Sequence, residues 1–319
     1  MKRIAFLAEV RNRALRPLEA DPSVHFDKLL FINDVMFNPV DALHLLLSTN
    51  VDASGRAQYG AVCAVDFINP FKFYDRFATR DFEGYAMGIP FFPWFTDAGN
   101  GLSRQDVLDQ KDAVRVRACW GGMTAFEAKW FRKSHNDSPS LSGSNFNPST
   151  AFSVSPLRFR YEEDPFWDAS ECCLIHADLT YLRHGRNITA DSGIFTNPYI
   201  RVAYDSRTLS WLWLTRRTER LYSFVHNMLN NIIGMPYLNP RRLEQPGDVV
   251  VERVWSWDQT GQQATQVEAG NVPQGKYHDV KRVAGPGRFC GGRALLVLND
   301  NPKPGEKKWM SVPLPAQPK

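Results

Sequence analysis

Between residues 28 and 46 the chain runs Lys-Leu-Leu-Phe-Ile, then Asn33-Asp34, then Val-Met-Phe into Asn38-Pro39 and a further apolar stretch. An apolar run that stops on a carboxylate and leaves through a helix start is the feature that most limits the fold. Lys28 to Ile32 is apolar after its first residue, as a strand covered on both faces is. Asn38 and Pro39 have the character of an N-cap and a first helical position, and the helix continues through Ala42, Leu43, Leu46 and Leu47. The unit recurs. Tyr59-Gly-Ala-Val-Cys-Ala-Val65 is a second apolar run, ending at Asp66, and Arg115-Val-Arg-Ala-Cys-Trp120 is a third, followed by Gly121-Gly122. Strands alternating with helices predict an α/β fold with a largely parallel sheet. Such sheets bind ligands beyond the carboxyl ends of their strands. Asp34, Asp66 and the residues after Trp120 are therefore expected on one rim.

Other segments fill in the frame. Ile4, Leu7, Val10, Ala14 and Leu15 predict an amphipathic helix stopped near Pro17. Ser134 to Ser155 is rich in Ser, Asn, Gly and Pro and reads as a surface loop. Glu171 to Ala177 is a further apolar stretch, and Ile200 to Tyr204 a last short strand. Leu221, Phe224, Val225, Met228, Leu229, Ile232 and Ile233 form one helical stripe, ended by Gly234 and Pro236. Packing of that stripe on the core is the preferred reading. The alternative is a membrane-surface helix, with Arg216, Arg217 and Arg220 upstream. The division is a domain over residues 1–239 and a loosely attached Pro- and Gly-rich extension over 240–319 with short strands.

The charge balance excludes some classes. Thirty-eight Lys and Arg against 34 Asp and Glu give +4, and no basic block marks a nucleic-acid stripe. No apolar run is long enough to span a bilayer. The first residues break their apolar character at Glu9 and Arg11, which makes a poor signal peptide. The five cysteines have no CxxC spacing, which argues against a structural zinc site or a dense disulfide framework. Cys172 and Cys173 are expected reduced and buried, since a bridge between neighbours strains the backbone. Asn136-Asp-Ser138 and Asn187-Ile-Thr189 are glycosylation sequons that fit a secretory lumen.

Asp34 after a strand is a turn cap or a cation ligand. A second acid, Asp66, on the same rim favours a divalent cation with oxygen ligands, Mn²⁺ or Mg²⁺. If Glu171 to Ala177 is a strand, Glu171 and His176 point to opposite faces. A lone His on such a strand is more often a hydrogen-bonded structural residue than a metal ligand, and Asp178 reads equally as a turn residue or a site residue.

Six stretches occur together and in order: Phe26–Val35, Cys63–Pro70, Phe73–Asp81, Cys119-Trp-Gly-Gly122, Ser170-Glu-Cys-Cys-Leu-Ile-His-Ala-Asp178 and Asn197–Val202. Together they resemble the fungal α-1,3-mannosyltransferase family that includes the cryptococcal capsule-associated mannosyltransferases. Arg288-Phe-Cys-Gly-Gly-Arg293 in the tail resembles it too. The resemblance implies a GT-A-like, Rossmann-like mixed sheet, GDP-mannose as donor, a glycan acceptor and a divalent metal. It also implies a type II membrane protein of the secretory pathway, on the luminal side of the Golgi. By that resemblance Asn33-Asp34 stands at the DxD position, with Asp34 as metal ligand, Asn33 at the donor and His176 as a late metal ligand. Glu171 is the acid near the acceptor and Asp66 the second catalytic acid. Arg80, Asp81, Trp120, Gly121, Gly122 and Asp178 are donor or acceptor contacts.

The chain departs from the pattern twice. Gly121 stands where the family carries Asn, which removes an amide near the sugar. Only a helix and a short link precede Phe26, so the domain reads as N-terminally incomplete, without its first strands and membrane anchor. The expected consequence is weak GDP-mannose binding. The competing reading is a catalytically impaired relative acting as a binding or regulatory protein. A metal-dependent phosphohydrolase has only the strand-end acids in its favour.

Overall fold

The computed structural model describes residues 1–20, 24–132, 152, 154–186, 191–257, 275–299, 302, 305 and 307–316. The loop expected over 134–155 and both sequons lie almost wholly outside these residues. Helix α1 (Arg3–Ala14) and the short α2 (Pro17–Ala20) lead to strand β1 (Lys28–Ile32), helix α3 (Pro39–Leu47) and strand β2 (Ala61–Asn69). Strands β3 (Lys72–Phe73) and β4 (Arg80–Asp81), helix α4 (Leu102–Leu108) and strands β5 (Val114–Ala118) and β6 (Met123–Glu127) follow. Next come β7 (Trp167–Asp168), helix α5 (Glu171–His184), β8 (Ile194–Ala203) and helices α6 (Ser206–Thr218) and α7 (Ser223–Ile233). The C-terminal part has β9 (Val249–Trp257), β10 (Gly275–Val283), β11 (Gly292–Arg293), β12 (Leu296–Leu298) and β13 (Trp309–Ser311).

The central sheet orders its strands β1-β6-β2-β8-β5-β4, with β3 on β2. The fold is mixed α/β, but the largely parallel sheet is not found. The β2–β8 pair is parallel, and the β1–β6, β2–β6, β2–β3, β5–β8 and β4–β5 pairs are antiparallel. Hydrophobic runs mark strands without giving their direction, and the chain crosses after β5, through Gly121-Gly122, to β6 on the far side of β2 and β8. Strand β1 lies at the sheet edge, half-buried and paired only with β6, so its apolar run does not signal a central strand. Helix α3 is capped as its sequence predicts. The Asn38 side chain accepts from Val40 N at 3.0 Å with Pro39 in the first turn.

Three further expectations give way. First, β2 does not end at Asp66 but runs on to Asn69, which places Asp66 inside the sheet, fully buried, while Asp34 is exposed after β1. The two acids therefore do not share a rim. Second, Glu171 opens a helix of 14 residues instead of belonging to a strand. Ser170 caps it by accepting from Cys172 N, and every residue from Glu171 to Tyr181 is buried. A helix covered all round shows no polar face, so its short apolar run imitates a strand. Third, α7 is inverted relative to expectation. Its buried side chains are His226 and Asn230, while Phe224, Met228 and Ile232 are 82%, 55% and 73% exposed. Arg104 Nη1 and Asn230 Nδ2 lie 3.0 Å from His226 Nδ1, and Asn230 Oδ1 accepts from Ile89 N, so polar bonds hold the inner face.

Two disulfides tie these layers together. Cys63 on β2 joins Cys119 after β5, and Cys173 on α5 joins Cys290. Cys172 is a free, buried thiol, so only one of the neighbouring pair is reduced. The C-terminal segment makes contacts with the preceding part of the chain. Phe289 and Cys290 pack into a cluster with Ala118, Trp167, Leu174 and Ala177. Arg282 on β10 and Arg241 donate to Asp164 at 2.6 and 2.9 Å, and Arg241, Arg282 and Arg288 converge on Glu252. Cys290→Ser removes the covalent tie across a separation of 117 residues. It is expected to cost about 2–5 kcal/mol, read as a lower denaturant midpoint under oxidising conditions and no difference from wild type under reduction.

Candidate active site

Asp66 sits within β2 where a charge is costly, and its neighbours are arranged to bear it. Its Oδ1 accepts from Asp75 N at 3.0 Å and its Oδ2 from the Tyr204 hydroxyl at 2.9 Å. Tyr204 follows β8, and its ring meets Tyr74 edge-on with centroids 4.7 Å apart. Asp75 lies in the turn after β3, where its carboxylate accepts from Ala78 N at 3.3 Å and hydrogen-bonds the backbone of Gly121. Burial, and then the charge of Asp75, push Asp66 up to about 7. Burial raises Asp75 to about 6, with Glu171 raising it further and Arg11 opposing. Burial is the largest cause for both acids, and each stays protonated above the usual carboxylate range.

A second line of contacts approaches from α1 and α5. Glu171 is the first residue of α5, where the helix dipole favours a carboxylate. Arg11 Nε donates to Glu171 Oε1 at 2.9 Å, and the two side chains are 18% and 3% exposed. The Arg11 guanidinium lies 4.2 Å from the Trp120 ring centroid. Trp120 Nε1 donates to Asn33 Oδ1 at 3.3 Å, and Asn33 N donates to Gly122 O at 2.9 Å. Thus Glu171, Arg11, Trp120 and Asn33 form one chain of contacts that meets the Asp66–Asp75 pair at Gly121.

The Cys119-Trp-Gly-Gly122 turn is pressed onto β2 and anchored there by the Cys63–Cys119 bridge. Gly121 has φ +58°, and a Cβ on it would stand 1.9 Å from Ala64 O. A Cβ on Gly122 would stand 2.8 Å from Val35 Cγ1. A side chain at 121 has no room in this backbone, so Gly121 is a packing requirement. Cys172 Sγ lies 3.5 Å from Glu171 Oε1, and burial keeps this thiol protonated.

The sequence-predicted residues divide cleanly. Asn33, Asp66, Trp120, Gly121, Gly122 and Glu171 come together, with exposed Asp34 beside Asn33. His176 does not join them. It is wholly buried and stacked on Phe126 at 5.2 Å, with Nδ1 2.7 Å from Cys172 O and a pKa that burial lowers to about 4. Asp178 is bound by Arg160 at 2.7 and 2.9 Å. Asp81 caps a turn by accepting from Glu83 N and Tyr85 N, and Arg80 donates to the carbonyls of Thr79, Phe77 and Phe289. Three members of the cluster were not singled out from sequence. Asp75 had a signal, since it lies in the Phe73–Asp81 stretch; Arg11 and Tyr204 had none, since their partners are distant in the chain.

The residues do not assemble a cation site of their own. Among the described residues the one close group of three metal-type side chains is Cys63, Cys119 and His176, and its two cysteines are bonded to each other. Both oxygens of Asp66 are taken by protein donors. Asp34 is exposed after β1.

The acid pair sets a pH dependence of stability. Its folded pKa values lie above the ordinary carboxylate value of 3.8, so its contribution is fullest below about 4 and is lost as pH rises through 6 to 7. Wild type is therefore expected to melt lower at pH 8 than at pH 5, and Asp66→Asn to flatten that difference. Thermal melts of both proteins across this range check it.

No curated protein and no solved structure matches the chain. A family model described as Cryptococcal mannosyltransferase 1 matches residues 1–178. That span carries β1 through the first half of α5, and so holds Arg11, Asn33, Asp34, Asp66, Asp75, Trp120, Gly121 and Glu171. Since the match covers more than half of the 319 residues, the chain belongs to the Cryptococcal mannosyltransferase 1 family, a family of mannosyltransferases.

Proposed function

We propose that this protein transfers mannose from GDP-mannose to a hydroxyl of a glycan acceptor, forming an α-1,3 linkage with retention, on a GT-A-like scaffold. The observation that carries the reading is the convergence of family segments distant in sequence on one cluster: Asn33-Asp34, Asp66, Asp75, Trp120-Gly121 and Glu171. In the transfer, the bond from the anomeric carbon to the diphosphate breaks and one to the acceptor oxygen forms, while the acceptor hydroxyl gives up its proton. Glu171, held by Arg11 over Trp120, is the carboxylate that orients the acceptor and stabilises positive charge developing at the anomeric carbon. Asp75, with Asp66 buried behind it, is poised near neutrality to receive the acceptor proton. Mn²⁺ or Mg²⁺, carried by Asp34 together with the donor phosphates, would supply charge relief on the leaving diphosphate. The two disulfides support a secretory lumen, with the Golgi as the site of action. Among the described residues no helix is long and apolar enough to cross a membrane.

Glu171→Gln keeps the size of the side chain and its bond to Arg11. A loss of turnover of about 10²-fold or more with little change in donor KM is expected, the pattern of a group needed in the transition state. Equal loss of donor affinity would move Glu171 to the donor site. Asp34→Ala should abolish Mn²⁺ binding in the presence of GDP, followed by the paramagnetic signal of free Mn²⁺, with an unchanged melt. Purified wild type that is folded, yet leaves GDP-mannose intact with Mn²⁺ or Mg²⁺ and α-mannobiose, would overturn the reading. The anomeric signal of any product decides retention.

A further inference from the structure

A cavity of about 390 Å³ opens between the turn after β3 and the C-terminal part of the chain. It is lined by Arg76, Arg80, Arg242 and Arg293 and by no Asp or Glu. Arg80 and Met87 form its buried floor at 5% and 3% exposure, and Tyr237 stands 63% exposed at its rim. Its fourth side is the Gly291-Gly292-Arg293 stretch of the tail, where a Cβ on Gly292 would meet nothing within 4 Å.

Among the described residues no carboxylate lines this cavity. Arg76 donates to the Met235 sulfur at 3.7 Å, and its Nε has no hydrogen-bond partner among the described residues. Arg242 donates to Glu83 O and the Tyr85 hydroxyl, and its Nε is likewise unpartnered there. Arg80 donates to main-chain carbonyls, and Arg293 to Pro315 O and the Tyr277 hydroxyl. Asp75 and Asp81 stand outside the lining; they accept from Ala78 N, the Gly121 backbone, Glu83 N and Tyr85 N, and their charges partly offset the burial of Arg80. Burial lowers the pKa of Arg76 and Arg80, and the lining leaves the Nε of Arg76 and of Arg242 without a partner among the described residues. An anion relieves this by accepting paired N–H donors, the geometry in which Arg binds carboxylate and phosphate. The tyrosines Tyr85 and Tyr237 add flat apolar walls, and the volume suits a ligand of one or two rings.

We infer that this Arg-lined cavity binds an acidic saccharide, holding a carboxylate or phosphate group on Arg76, Arg242 and Arg293 with the sugar ring against Tyr85 and Tyr237. The inference stands apart from the transferase reading, because it needs only the cavity and its charge. It gives the tail a binding role, since Arg242 and Arg293 come from beyond residue 240.

Titration calorimetry on the full chain tests it with four probes: digalacturonate, mannose 6-phosphate, neutral mannobiose and GDP. At least one acidic sugar is expected to bind, with affinity falling as salt rises, and mannobiose is not. The tighter of the two acidic sugars identifies the anionic group. Arg76→Met with Arg242→Met should weaken binding by about 100-fold, and Arg207→Met on exposed α6 should leave it unchanged. Arg293→Met, an exposed position, serves if the double variant fails to fold, with a loss of about tenfold. The inference is overturned if folded wild type binds neither acidic sugar, if the arginine variants bind as wild type does, or if GDP displaces the acidic sugar from the cavity.

Discussion

A carboxylate inside the central strand is the constraint on which the rest of this structure depends. Asp66 lies on β2 with no exposure, paired there with Val202 of β8, and cannot reach water for its solvation. Its two oxygens are therefore served by the chain, one by a main-chain N–H of the turn after β3 and the other by Tyr204 at the end of β8. Those two bonds fix where the turn sits. The turn then presents Asp75 toward the Trp120-Gly121 backbone on one side and Arg76 and Arg80 toward the tail on the other. A single buried acid thus sets the relative position of the acid cluster and the Arg-lined cavity. Replacing it with an apolar residue would relieve its solvation cost but strand the Tyr204 hydroxyl and the Asp75 N–H.

The glycines of the Cys-Trp-Gly-Gly turn work to the same end by different means. They allow the backbone after β5 to touch the backbone of β2, within a distance that forbids a side chain. The disulfide beside them makes the approach permanent. Trp120 is left with one face for Arg11 and its indole N–H for Asn33, so an aromatic residue connects a helix ion pair with a strand end.

Much of this was legible before any coordinates. Asn38-Pro39 announces a helix start because capping is local chemistry, and the runs at 28–32, 59–65 and 115–120 announce strands because β-structure needs few residues to declare itself. What the pattern could not carry was direction and partnership. Apolar runs are alike in parallel and antiparallel strands, which hid the mostly antiparallel sheet. Helix α5 is wrapped by protein, so the period that would identify it was missing. Helix α7 has the clearest period of all, yet a stripe does not say which side is inside; His226, Asn230 and Arg104 decide that through hydrogen bonds spanning 122 and 141 residues. In the site, Asp66, Gly121 and Glu171 stood in recognisable stretches, whereas Arg11 and Tyr204 acquire their roles from partners 160 and 138 residues away.

The Cys173–Cys290 bridge has a topological consequence. It closes a ring of chain that contains β8, α6, α7 and the β9–β10 hairpin, starting inside α5 and ending at the Gly-rich stretch. A single backbone scission anywhere in that ring leaves no free fragment. Both new ends remain on one covalent body, and the parts separate only when a reductant also acts. The protein can therefore be nicked across more than a third of its length and still migrate as one species, splitting into two chains only after its thiols are restored.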